Sequence, residues 1–374
     1  MKKVILIALG VVLFWACSSD STDEVKKTNP DQISFDRGAM LSNWADNIII
    51  PSYEAFSLEM SDLNVAFVQF KEDRSATNLE LFRASWLDTY KMWQRVSMFE
   101  IGPAEGVGLR LNMNIYPTNT QKIDDYVVSG NYDLSLSSNR DAKGFPALDY
   151  LINGLGETDT DIVARFATSD ENGLLSYTEA VLLDMTTLSN SVLEGWKNGY
   201  RDVFVSNDGA SSTASVDRYV NDYIFYFEKF LRAGKMGIPL GVFSGSTLPK
   251  NLEAYYKSDV SKELFLEGLA AVQDFFNGKY FGSTTTGESL ASYLDVLNSV
   301  KDGEDLNAVI NAQFNIAREA VTGLSSFRIE IENNNPPTLM LSAYDEVQRA
   351  VPLLKVDMVS AMSISVDFVD ADGD

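Results

Sequence analysis

The sequence predicts an all-α fold of two helical-bundle halves, related by duplication, that ends in a short β-like C-terminal tail. Three observations carry that expectation. Apolar residues recur at three- and four-residue steps through nearly the whole chain, the period of a helix with one buried face. Most connections between these stretches are short and polar, which sets successive helices antiparallel. Two Gly/Pro loops, each following an aromatic-rich helix, also resemble one another.

In chain order, the first segment is not part of the bundle. Met1, Lys2 and Lys3 precede the apolar run "VILIALGVVLFWA" and then Cys17, the pattern of an export signal over residues 1–17. The run falls short of the roughly 20 residues that span a bilayer; a single N-terminal anchor helix is the alternative. Residues 18–34, opening with "SSDSTDE", form a polar tether. Cys17 is the only cysteine, so no disulfide can form within the chain.

The apolar stripe through residues 35–70 should be bent or broken at Pro51. Asn78 can cap a helix whose face carries Leu79, Phe82, Trp86, Tyr90, Trp93 and Val96; this aromatic stripe reads as core. Similar stripes cover residues 177–196, 216–231, 264–276, 290–300 and 306–329. The segment 336–362 starts on prolines suited to a helix beginning, and Pro352 calls for a kink or break inside it. Only "SISVDFVD", residues 363–370, alternates like a strand.

The two similar loops read "FEIGPAEGVG" (99–108) and "MGIPLGVFSG" (236–245). Gly102, Pro103, Gly106 and Val107 in the first match Gly237, Pro239, Gly241 and Val242 in the second. They place an N-terminal half at 35–205 and a C-terminal half at 206–374, with the boundary near the Ser/Asn/Gly-rich stretch 206–215; two unrelated chain breakers would look the same.

Composition narrows function. The formal charge of −23 disfavours nucleic acid, which needs Lys and Arg in excess. There is no histidine, so Ser-His-Asp and Cys-His nucleophiles and the usual zinc ligands are ruled out. Any bound cation has to be held by oxygen, which suits hard ions such as Ca²⁺, Mg²⁺ or Fe³⁺. The tail "DADGD" (370–374) lacks the spacing of an EF-hand loop.

Several passages, among them "NWADNIIIPSYEAF", "WLDTYKMWQRVSMFEIGPAEGVGLR", "NIYPTN", "GFPALDYLING" and "LRAGKMGIPLGVFSG", resemble the imelysin family. The resemblance runs from about residue 40 to the C-terminus. It implies an all-α fold with a site between two halves, in bacterial envelope proteins first described as metallopeptidases and associated with iron uptake. The lipobox-like position of Cys17 resembles that of a bacterial lipoprotein, which implies lipidation there. The acidic stretch after it resembles a Bacteroidetes-type surface-export tag, with attachment to the outer membrane and envelope uptake components as partners.

The family's Gly-X-His-X-X-Glu motif falls on Gly144, Pro146 and Asp149. Pro146 cannot supply the ligand that a His would, which argues for a non-enzymatic binding protein over a metallopeptidase, with a structural or adhesive surface module as a third reading. From the residues alone, Pro146 suits the first position of a helix and Asp149 lies within about a turn of its positive end. An altered binding site stays open beside that. Glu100, Glu105, Arg110 and Tyr116 are then candidates to line one groove with Asp149; the plainer reading pairs Glu105 with Arg110 as a solvated salt bridge.

Overall fold

In the computed structural model, residues 35–168 and 173–366 are described. Cys17, the tether and the tail 370–374 lie outside them. The Asp36 carboxylate accepts from Ala39 N (2.8 Å) and starts α1 (Arg37–Asn43). This helix continues through a π-helical stretch, Trp44–Ile49, into α2 (Ile50–Glu72). Pro51 thus leaves the helix unbroken. The Asn47 carbonyl, which an amide at position 51 would otherwise take, accepts instead from Phe281 N (2.8 Å).

After a short turn comes α3 (Ala76–Val96), whose cap is Ser75 rather than Asn78. The Ser75 hydroxyl accepts from Asn78 N (3.3 Å), and the Asn78 amide donates back to the Asp73 carbonyl (2.9 Å), so the helix starts earlier than expected and Asn78 ties the turn from inside its first turn. Short elements follow: α4 (Pro103–Val107), α5 (Leu109–Met113), α6 (Thr120–Ser129), α7 (Gly144–Asp149) and α8 (Asp159–Thr168). The long α9 (Gly173–Gly195) leads through a π-helical kink to α10 (Arg201–Ser206). Next, α11 (Ser215–Phe225) runs through the π-helical Tyr226–Gly237 into α12 (Ile238–Leu240). The chain then forms α13 (Ser261–Phe276), α14 (Leu290–Val296), the hairpin β1 (Val300–Lys301) and β2 (Glu304–Asp305), α15 (Leu306–Thr322), α16 (Phe327–Asn333), α17 (Thr338–Pro352) and α18 (Val359–Ala361).

Helix α2 packs against α3 and α9, and α15 against α17; α13 touches both α3 and α15, joining the two groups through one continuous core. The predicted all-α architecture is present, and Trp86, Tyr90 and Trp93 are buried in the core as their spacing requires. Pro352 ends the α-helical part of α17, and the helix proceeds as a π-helical stretch, Leu353–Met358. No described helix is long and apolar enough to cross a membrane.

Two points of the chain's punctuation differ from what its letters suggest. Residues 363–366, the described part of the expected strand 363–370, are not extended: Ser363 takes φ +55° and Ile364 N bonds the Val359 carbonyl (3.0 Å), which closes the end of α18, and 367–370 lie outside the described residues. The two-stranded sheet among the described residues is instead β1–β2. The matched glycines of the two similar loops also differ in conformation. Gly102 has φ +54°, whereas Gly237 is helical; Gly106 lies inside α4, whereas Gly241 has φ +79°.

Candidate functional site

Helix α7 begins where Gly144 must be glycine. Its φ is +74°, and a Cβ there would sit 2.1 Å from the Met113 carbonyl oxygen. Buried Lys143 anchors the preceding residue, donating to Asp184 of α9 (2.8 Å) and to the Leu134 carbonyl (2.6 Å). From α3, Tyr90 stacks on Phe145 with ring centres 4.3 Å apart. Pro146 is therefore the third helical residue, not the first, because Gly144 already has its place in the turn. It remains within the opening turn, where an amide has no partner inside the helix.

Asp149 does not serve the helix start as expected. It is 1% exposed, at the other end of α7, and both its oxygens reach a distant segment. Oδ2 accepts from Tyr256 N (2.8 Å); Oδ1 accepts from Lys257 N (2.9 Å) and Asn153 Nδ2 (3.0 Å). Burial pushes its carboxyl up to about 7, against the pull of those hydrogen bonds. The turn it holds, 254–258, has left-handed backbone at Ala254 (φ +55°) and Ser258 (φ +63°). Asp149 is the peg that fastens this turn to α7.

Two neighbouring cavities open beside the peg. The outer one, about 340 Å³, is lined by Pro146, Asp149, Tyr116, Asn251, Tyr255 and Tyr256 among others. The inner one, about 180 Å³, is lined by Trp93, Gln94, Arg110, Tyr226, Lys229, Phe230 and Lys235. Tyr116 and Asn251 belong to both.

Two buried ion pairs flank the inner cavity. Lys235 donates to Glu253, which also accepts from Asn114 Nδ2 (2.7 Å) and Gln94 Nε2 (3.2 Å). Burial pulls the Lys235 ammonium below its usual value, against the attraction of Glu253. On another side, the Arg110 guanidinium clamps Asp222 with two bonds (3.1 and 3.0 Å) and gives Nε to the Ser97 carbonyl (2.8 Å). It also lies over Phe230, 4.7 Å from the ring centre. Arg110 N donates to Glu100 (2.9 Å), whose carboxyl burial pushes up to about 7.

The expected single groove is thus divided. Tyr116 and Asp149 share the outer cavity and Arg110 lines the inner one, while Glu100 and Glu105 line a third hollow of about 200 Å³. The expected Glu105–Arg110 pair does not form. Glu105 bonds Arg218 (2.8 Å) because Arg110 points inward to Asp222. Lys235, Glu253 and Asp222 were not candidates, although a charged residue inside an apolar helical stripe, as at Asp222 and Lys235, is a signal the sequence carries. Among the described residues no three carboxylates or thiols are grouped to hold a metal. The motif position does not suit a resident ion either, since Pro146 offers no donor atom and Asp149 is committed to N–H groups.

The sequence profile of the Imelysin family, also designated peptidase M75, matches residues 49–351. The chain belongs to the imelysin family. "Iron-regulated protein A" of Synechococcus elongatus is 23% identical over 181 residues, which are 47% of this chain and 45% of that protein. This imelysin therefore matches less than half the length of that relative. Among solved structures, an iron-regulated protein A precursor from Parabacteroides distasonis superposes with TM-score 0.69 at 15% identity, covering 90% of this chain and 98% of that one. An imelysin-like protein from Psychrobacter arcticum does so with TM-score 0.68 at 14% identity, covering 89% and 97%. At such identities the likeness shows the shared all-helical fold.

Proposed function

We propose that this imelysin is a lipid-anchored envelope protein that binds a small molecule in the paired cavities around Tyr116 and performs no peptide hydrolysis. The observation that carries this reading is the state of Asp149. At the motif position both its oxygens are bound to Tyr256 N, Lys257 N and Asn153, and Pro146 stands where a His would act. With no histidine in the chain, the motif has become a wall of a cavity instead of a source of acid, base or ligand. A role in iron uptake is supported by the names of relatives, which call them iron-regulated.

A thermal-shift screen of the mature protein against small metabolites tests the reading. Compounds that raise Tm should lose their effect when Tyr116→Trp narrows both cavities; a screen without hits, or hits indifferent to that change, counts against it. Chelator-sensitive cleavage of an unfolded protein substrate, lost in Asp149→Asn, would restore the peptidase reading. For the anchor, Cys17→Ser should release the protein from membranes.

A further inference from the structure

We propose that the inner cavity takes one small planar organic anion, an aromatic carboxylate, with Lys229 as its counter-ion. This rests on the binding reading above and names the ligand class.

Charge is the first ground. The chain carries −23 overall, yet the residues lining this cavity include Arg110, Lys229 and Lys235 and no Asp or Glu. Two of the three cations are already balanced from behind, Arg110 by Asp222 and Lys235 by Glu253. Glu100, beyond Arg110, is held toward its protonated form by burial. Lys229 has no hydrogen-bond or ion-pair partner among the described residues, so the cavity is left with one positive charge to match. An incoming anion meets an ammonium next to low-dielectric walls, where the attraction is stronger than in open water.

Shape is the second ground. Trp93, Tyr116, Tyr226 and Phe230 supply ring surfaces, and the volume of about 180 Å³ compares with the roughly 150 Å³ of an apolar protein cavity that accepts benzene. One six-membered ring with a carboxylate is the size that fits.

The test is isothermal titration calorimetry of the mature protein with three probes: benzoate, benzyl alcohol and benzylamine. The expected order is benzoate first, the alcohol at least tenfold weaker and the amine without binding. Lys229→Met, at a partly exposed position, should weaken benzoate about tenfold and leave the alcohol unchanged, with circular dichroism confirming the fold. Equal binding of acid, alcohol and amine, or no effect of Lys229→Met, overturns the assignment and leaves the broader binding reading standing. Binding of none of the three also overturns it, and the metabolite screen with Tyr116→Trp then decides the broader reading separately.

Discussion

Asp149 and Glu253 are both buried carboxylates at 1% exposure, both beside the paired cavities, yet they are held by different means. Asp149 is met by neutral donors, two backbone N–H groups and an amide. Glu253 is met by the ammonium of Lys235, with Asn114 and Gln94 taking its remaining capacity. The difference teaches that a carboxylate near a cavity can be architectural in two ways. Neutral donors leave desolvation dominant, so Asp149 is driven toward protonation near neutral pH, whereas an ion pair ties two segments together by charge and fails badly if halved.

The largest effect should come from halving that pair. Lys235→Met leaves Glu253 buried without its cation and should lower stability by about 3–5 kcal/mol in chemical unfolding. The double variant Lys235→Met with Glu253→Gln should recover much of the loss. If it recovers nothing, the pair is not what the two residues contribute.

Asp149→Asn should cost less, about 1–3 kcal/mol, because the amide still accepts from one backbone N–H but turns its own NH₂ toward the other. The same variant should raise protease sensitivity at the 254–258 turn, read by limited proteolysis.

A smaller signature is the pH slope. The folded state holds the Asp149 proton up to about 7, whereas an unfolded Asp releases it near 3.8. Between those values the folded state binds more protons, so this group's contribution to stability falls as pH rises. Glu100, also raised to about 7, acts in the same direction. Urea midpoints from pH 4 to 7 should therefore show a shallower decline in Asp149→Asn; an unchanged slope would remove Asp149 as its source. At Lys235 the sign reverses, since a lowered ammonium pKa makes the unfolded state the better proton binder on the alkaline side.

The smallest effect is expected from Glu105→Gln. Its bond to Arg218 joins two side chains about half exposed, and solvent leaves such pairs worth under about 1 kcal/mol.

How far these contrasts were legible differs from residue to residue. The stripe of Leu79, Phe82, Trp86, Tyr90, Trp93 and Val96 lies on one face of one helix, so its spacing sufficed to identify core. Ser75 as the cap one turn ahead of Asn78 was within reach, since Ser is as good a cap and the helix simply started earlier. The likeness of "GPAEGV" to "GIPLGV" was legible as letters and misleading as geometry, because the neighbours that demand glycine differ. A Cβ at Gly102 would strike the Tyr200 ring, and one at Gly241 would strike the Ser246 carbonyl.

The sequence by itself determined the helical plan, the family, the loss of histidine chemistry and the candidacy of Gly144, Pro146 and Asp149, because each of these depends on residue type or on spacing within a few turns. Tertiary structure decided what the polar groups do. Arg110 meets Asp222, Lys235 meets Glu253 and Asp149 meets Tyr256 N across separations of 112, 18 and 107 residues. Burial makes those partnerships obligatory, since an unpaired polar group in the core is costly, but only the packing of α7, the 226–237 helix and the 254–258 turn determines which partner is near enough to satisfy it.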